Sequence, residues 1–86
     1  MINICDEGLI GKTLNEGKLS MHISRDYFGG QIVDSMQALK MMKESSIINL
    51  AGEQAVSIAL SNKMGAKGAV RLIQGVPFLM IYKFSY

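Results

Sequence analysis

The sequence predicts a small α+β protein, a two-layer sandwich in which a small antiparallel sheet carries two helices on one face, in the order ββααββ. Three observations lead there. Residues 18–24 and 78–84 alternate with the two-residue period of strands, residues 34–64 show the three-and-four spacing of helices, and glycine or proline clusters separate these blocks. With 86 residues the chain has room for one domain, 1–86, since domains usually take about 50 to 250 residues.

The first element is a short strand, in which Ile2 and Ile4 alternate with Asn3 and Cys5. Asp6-Glu7-Gly8 breaks it. Leu9-Ile10-Gly11-Lys12-Thr13-Leu14 fits a helical turn or a returning strand equally well, and Asn15-Glu16-Gly17 reads as a turn because Asn and Gly tolerate positive φ. In residues 18–24, Leu19, Met21 and Ile23 then face one way and Ser20, His22 and Ser24 the other. Arg25-Asp26-Tyr27-Phe28-Gly29-Gly30 reads as a loop whose glycines free the backbone.

A helix follows. Asp34 stands at its start as a cap, Gln37 lies three residues on at capping-box spacing, and Met36, Leu39 and Met42 form an apolar stripe. Lys40 and Lys43 sit near its end, where the macrodipole favours cations. Ser45-Ser46 stops this helix and caps a second one over 47–64, with Gly65 as the left-handed residue past its end. Asn49, Glu53, Ser57 and Ser61, spaced by four, make its narrow polar stripe; Gly52 costs about 1 kcal/mol relative to alanine and marks a close approach of another backbone. Residues 69–74 and 78–84 read as the last two strands, joined through Gly75-Val76-Pro77. Phe78, Met80, Tyr82 and Phe84 share one face of the final strand, and Leu79 and Ile81 take the other, so that strand, apolar on both sides over its first half, should lie inside the sheet or under a partner.

Composition sets the exclusions. The longest apolar run, from Val76 to Tyr82, contains a proline and falls far short of the roughly 20 residues of a membrane span. The first residues meet Asp6 and Glu7 too early for a signal peptide, and the single cysteine, Cys5, forms no disulfide within the chain, which together point to the cytoplasm. One Cys and one His do not supply the soft ligands of a zinc site, and no cofactor pattern is present. The chain is 49% apolar and only 19% charged, against about 25% charged in ordinary domains. Some of that apolar surface should stay exposed, because a chain of this length buries only about 60 to 65% of its unfolded surface.

The net charge of +2 is uneven: residues 1–53 hold all seven acids and five bases, whereas residues 54–86 hold Lys63, Lys67, Arg71 and Lys83 and no acid. That run is either a stretch that happens to lack acids or a basic face for phosphate or an acidic partner.

The local motifs divide between chemistry and packing. Gly11-Lys12-Thr13 looks like the end of a phosphate-binding P-loop, but the first glycine of that motif would fall at Asp6, whose carboxylate repels phosphate. Gly65-Ala66-Lys67-Gly68 matches the GXXG loop of KH domains, yet that loop joins two helices and a β-branched segment follows here. His22 lies on the polar face of its strand, solvated unless the fold brings a nucleophile or an acid to it. Cys5 precedes Asp6, whose charge would raise the thiol pKa, and fits a buried inert role. The methionines Met36, Met42 and Met80 fall at expected core positions. Arg25, Tyr27 and Phe28 beside Gly29-Gly30 bring a cation, aromatic rings and a flexible backbone into one loop, the arrangement of many binding loops, or else plug the base of the helical layer.

Cys5-Asp6-Glu7, Leu9-Ile10-Gly11-Lys12-Thr13, Tyr27-Phe28-Gly29-Gly30, Asn49-Leu50-Ala51-Gly52-Glu53, Ala55-Val56 and Gly75-Val76-Pro77, in this order, resemble the archaeal family called domain of unknown function 424. The resemblance runs from Ile4 to about Ile81 and implies a small cytoplasmic archaeal α+β protein, with no established activity, catalytic residues or cofactor. Two departures stand out: the family pattern has a further strand and turn before its Cys-Asp pair, and many members carry a polar residue such as histidine where this chain has Phe78. The first departure makes the apolar excess read as a core built for one more strand, completed by an extension or a second subunit.

The functional reading is a non-enzymatic binding module in translation or RNA metabolism, with RNA or a ribosome-associated protein as partner and no catalytic residue, cofactor, metal or membrane. Its binding residues are Lys12, Arg25, Tyr27, Gly29, Gly30, Lys63, Lys67, Arg71 and Lys83. The rival is a protein interaction module, a homodimer formed through a sheet edge. A third reading, a small enzyme using His22 or the loop at Arg25, needs a pocket that unites His22 with an acid.

Overall fold

Ile47–Ala51 is a strand, β4, and this one segment organises the architecture. In a computed structural model that describes residues 1–28 and 32–83, β4 lies parallel to β1 (Ile2–Cys5) and antiparallel to β6 (Val76–Tyr82). β5 (Arg71–Ile73) flanks β6, giving the sheet order β1-β4-β6-β5. A separate hairpin is made by β2 (Thr13–Glu16) and β3 (Leu19–His22). The helices are the single turn α1 (Arg25–Phe28), α2 (Ser35–Glu44) and α3 (Glu53–Ser61). The fold is α+β, as the sequence predicts.

Its order corrects the expected ββααββ. The helix expected over 47–64 is β4 followed by the shorter α3, because Gly52, at φ +106° and ψ 159°, separates them in a conformation helices do not use. β4 carries apolar Ile47 and Ala51 on its second face beside the lone polar Asn49, so its sequence shows little polar alternation and imitates the start of a buried helix. The expected wet stripe survives on α3, where Glu53, Ser57 and Ser61 are all exposed; Asn49 belongs to the strand. The sheet is mixed rather than wholly antiparallel, since β1 and β4 are joined by residues 6–46, far longer than the dozen or so that a parallel crossover needs.

Smaller corrections have local causes. Thr13–Glu16 is strand where a turn was expected at Asn15, and the turn falls at Gly17, whose φ of +61° favours glycine. The loop expected from Arg25 begins with the helical turn α1, and Gly29 and Gly30 lie outside the described residues, as does Phe84. The last two strands meet at Gln74-Gly75, both at positive φ, the two-residue hairpin geometry, so Pro77 sits inside β6 opposite Leu72 rather than in the turn. Among the expected core methionines, Met42 is fully buried, but Met36 and Met80 are 81% and 51% exposed; Ala38 and Met42, one helical turn apart, are the residues that α2 buries.

Two clusters hold the layers together. On one sheet face, Ile48 and Leu50 of β4 and Leu79 and Ile81 of β6 pack under Ala38, Met42, Ala55, Val56 and Ala59, with Ile2 and Ile4 beside them. On the other face the hairpin residues Leu14 and Ile23 meet Ile73, with Cys5 and Phe78 against them. Among the described residues the hairpin therefore covers one end of that face and leaves the rest open. Asp34 caps α2 as expected: its carboxylate accepts from the Gln37 amide at 2.8 Å while the Gln37 side chain accepts from the Asp34 amide at 3.1 Å. Among the described residues no helix is long and apolar enough to cross a membrane.

Candidate functional site

Asp6 follows β1 and continues its pairing, its amide donating to the Ala51 carbonyl at 2.9 Å. The turn thus aims its carboxylate at the first turn of α3, where it accepts from the amides of Gln54 at 3.0 Å and Ala55 at 2.9 Å. Helix α3 has glycine at its own N-cap position, so the missing cap comes from 46 positions earlier in the chain, an anion at the positive end of the helix dipole. A Cβ on Gly52 would overlap the Asp6 carboxylate. The close approach expected at Gly52 is therefore real, but it is to a side chain.

Beyond this cap lies an open groove of about 1080 Å³ between the outer edge of β1, α1 and the first turns of α2 and α3. Arg25 and Tyr27 of the sequence-based binding set both line it, alongside the acids Glu7, Asp26 and Asp34. Its charge is mainly negative, with Asp6 and Asp34 engaged as helix caps. Tyr27 is exposed and its ring centre lies 6.3 Å from that of Phe28. Gly29 and Gly30, assigned to the same loop, lie outside the described residues.

The other members of that set are dispersed. Lys12 is exposed at the mouth of the hairpin, where its carbonyl accepts from the Ile23 amide. Lys63, Lys67 and Arg71 are exposed along the segment that leads from α3 into the edge strand β5. Lys83 has a different partner: its ammonium donates to the carbonyls of Met42 at 2.5 Å and Lys43 at 3.1 Å, at the C-terminal end of α2. The cations of the last third do not converge on one patch. His22 hydrogen bonds through Nδ1 to Thr13 Oγ1 at 2.9 Å, as a cross-strand pair of the exposed hairpin. Among the described residues no group of three His, Cys, Asp or Glu is placed to hold a metal ion.

The family model described as "Protein of unknown function (DUF424)" matches residues 1–84. The chain belongs to the DUF424 family. A crystal structure of an uncharacterized conserved protein from Methanopyrus kandleri, an archaeon, is similar with a TM-score of 0.78 and 25% identity, over 95% of this chain and 81% of that one. No curated protein matches the chain. Two segments that carry the DUF424 resemblance, Cys5-Asp6-Glu7 and Asn49-Leu50-Ala51-Gly52-Glu53, meet in space at the α3 cap. They form a joint between sheet and helix, which gives their residue types a structural reason.

Cys5, beside that joint, is half-buried, and burial first and then the Asp6 carboxylate raise its thiol pKa above the ordinary value. The fold thus favours the neutral thiol. In the unfolded chain the thiol ionises near its usual value of roughly 8.5, so above that pH the unfolded state holds fewer protons. The contribution to stability is full below that range and is lost as pH rises through the folded value. Urea midpoints should fall from about pH 8 to about pH 9.5, and fall less in Cys5→Ala. An equal fall in the variant would assign the effect to other groups.

The sequence had no means to find three of the residues that matter here. Asp6 acts across the fold, and Asn49 and Asn3 become neighbours only through the parallel pairing of β1 with β4, where Asn49 Nδ2 donates to Asn3 Oδ1 at 2.8 Å. The available signal was the alternation of Ile48 and Leu50 with Asn49, masked by Ile47 and Ala51.

Proposed function

We propose that this DUF424 protein is a non-enzymatic binding module that serves translation or RNA metabolism by holding RNA. The observation that supports it is that Lys63, Lys67 and Arg71 are exposed along the segment that leads into β5, in a stretch, residues 54–83, that contains no acid. Exposed cations of this kind attract phosphate without reading sequence. Binding to a labelled RNA in a mobility or polarisation assay should weaken as salt rises, through counterion release, and each of Lys63→Ala and Lys67→Ala should reduce the salt slope by about 0.7 to 0.9. Salt-insensitive binding, or none, rejects this reading.

A second reading, a homodimer, has one observation in its favour: β1 stands at a sheet edge with β4 as its strand partner. Pairing of two such edges would make a protein interaction module with no nucleic-acid role. Light scattering at high micromolar concentration decides it, since a monomer there argues against the dimer.

A further inference from the structure

We infer that the open half of the sheet, with Tyr82, Asn49 and Asn3 on its surface and Arg71 at its margin, is a platform for the unstacked bases of single-stranded RNA; this rests on the RNA reading above and locates its site. The strand register assembles the surface. Asn3 stands opposite Asn49, Asn49 opposite Met80, and Ile47 opposite Tyr82, so these side chains share the face turned away from α2 and α3. Arg71 pairs with Phe78 and emerges on the same face, one strand position from Met80. The hairpin covers the Cys5, Ala51 and Phe78 end, whereas Tyr82 is 56% exposed and Met80 51%.

The chemistry of this surface fits nucleobases in three respects. An exposed tyrosine on an open sheet face offers a ring for stacking, the device by which sheet-based RNA modules hold splayed bases. The amide pair has further hydrogen-bonding capacity: Asn49 Nδ2 donates to Asn3 Oδ1 at 2.8 Å and to Met1 Sδ at 3.4 Å, and among the described residues Asn49 Oδ1 as an acceptor and Asn3 Nδ2 as a donor have no partner. The charge is also suited to a polyanion, because none of the four strands contains an acid and Arg71 stands at the margin of the face. A second copy fits less well. A standard interface takes roughly 20 to 30 residues and about 800 Å² a side, roughly an eighth of this chain's 6011 Å² surface, and the open half offers about six residues.

The test uses the full chain with a fluorescein-labelled ten-nucleotide single strand, a labelled RNA hairpin, and light scattering on the same samples. Expected results are preference for the single strand, a loss of about fivefold to a hundredfold on Tyr82→Ala, and retention within about twofold in Tyr82→Phe, as stacking requires. Amide chemical-shift changes in the wild-type protein should centre on Asn3, Asn49, Met80 and Tyr82, a readout independent of any variant's folding. If the protein binds RNA but prefers the hairpin, or if Tyr82→Ala binds as wild type does, the platform is wrong while the RNA reading stands. Absence of binding to either RNA overturns both. A dimer that Tyr82→Ala dissociates overturns the platform in favour of a second copy on this face.

Discussion

Gly52→Ala will lower the unfolding free energy by roughly 1.5 to 5 kcal/mol, the sum of about 1 to 3 for forcing a side chain into a conformation that is essentially glycine-only and about 0.5 to 2 for a lost helix cap. Both terms come from one point in the fold. Gly52 holds φ +106°, and a Cβ there occupies the space of the Asp6 carboxylate. That carboxylate is the flexible end of its side chain, yet it cannot move aside freely because two α3 amides hold it. Displacing it leaves those amides without the cap and removes an anion from the positive end of the helix. A chain of this length has only about 4 to 13 kcal/mol of total stability, so the substitution threatens folding itself.

The pairing of the two residues makes the prediction sharper. Asp6→Ala alone should cost about 0.5 to 2 kcal/mol, the worth of the cap. The double variant should cost less than the two singles added together, since the cap can be lost only once and the added methyl then meets open space. Urea denaturation of the four proteins measures this. Strict additivity, or a Gly52→Ala protein within about 0.5 kcal/mol of wild type, would show that the carboxylate does not secure the joint.

The second large effect is expected at β4. Ile48→Ala should cost about 2 to 5 kcal/mol, whereas its neighbour Ile47→Ala should cost no more than about half of that. Ile48 has no solvent exposure and packs among the α2 and α3 residues, while Ile47 lies on the other face and is half-buried. Adjacent residues with opposite fates are the signature of a strand. Comparable losses at both positions would fit a helix buried all round, the arrangement that the apolar run resembles, and would contradict the strand.

Legibility in the sequence followed the range over which each residue acts. The capping box of α2 was readable because Asp34 and Gln37 satisfy each other within one turn. The alternation of residues 18–24 was readable because one face of β3 is wet: Leu19 and Met21 are half-buried while Ser20 and His22 are exposed. β4 was not, since Ile47 and Ala51 on its second face obscure the alternation of Ile48 and Leu50 with Asn49 and leave a composition that suits a helix equally well. The candidate sites show the same division. The exposed cations could be listed from the sequence, but not that Lys83 would close the end of α2, nor that Arg71 would face away from Met42 and the helical layer. Membership of the DUF424 family was legible as an ordered set of short motifs, and the fold explains part of that set as the contact between Asp6 and α3.

What the amino-acid sequence determined by itself was the α+β class, the cap of α2, the hairpin-forming alternation and the acid-free last third, because propensity, capping and charge act among neighbours in the chain. What only the tertiary structure decided was the parallel pairing of β1 with β4, the distant cap on α3, and the half of the sheet that stays open with Tyr82 and the two asparagines upon it. Those depend on groups 40 or more positions apart, such as Asp6 with Ala55 and Asn3 with Asn49, being brought together by the burial of the common core, and no local pattern encodes such a meeting.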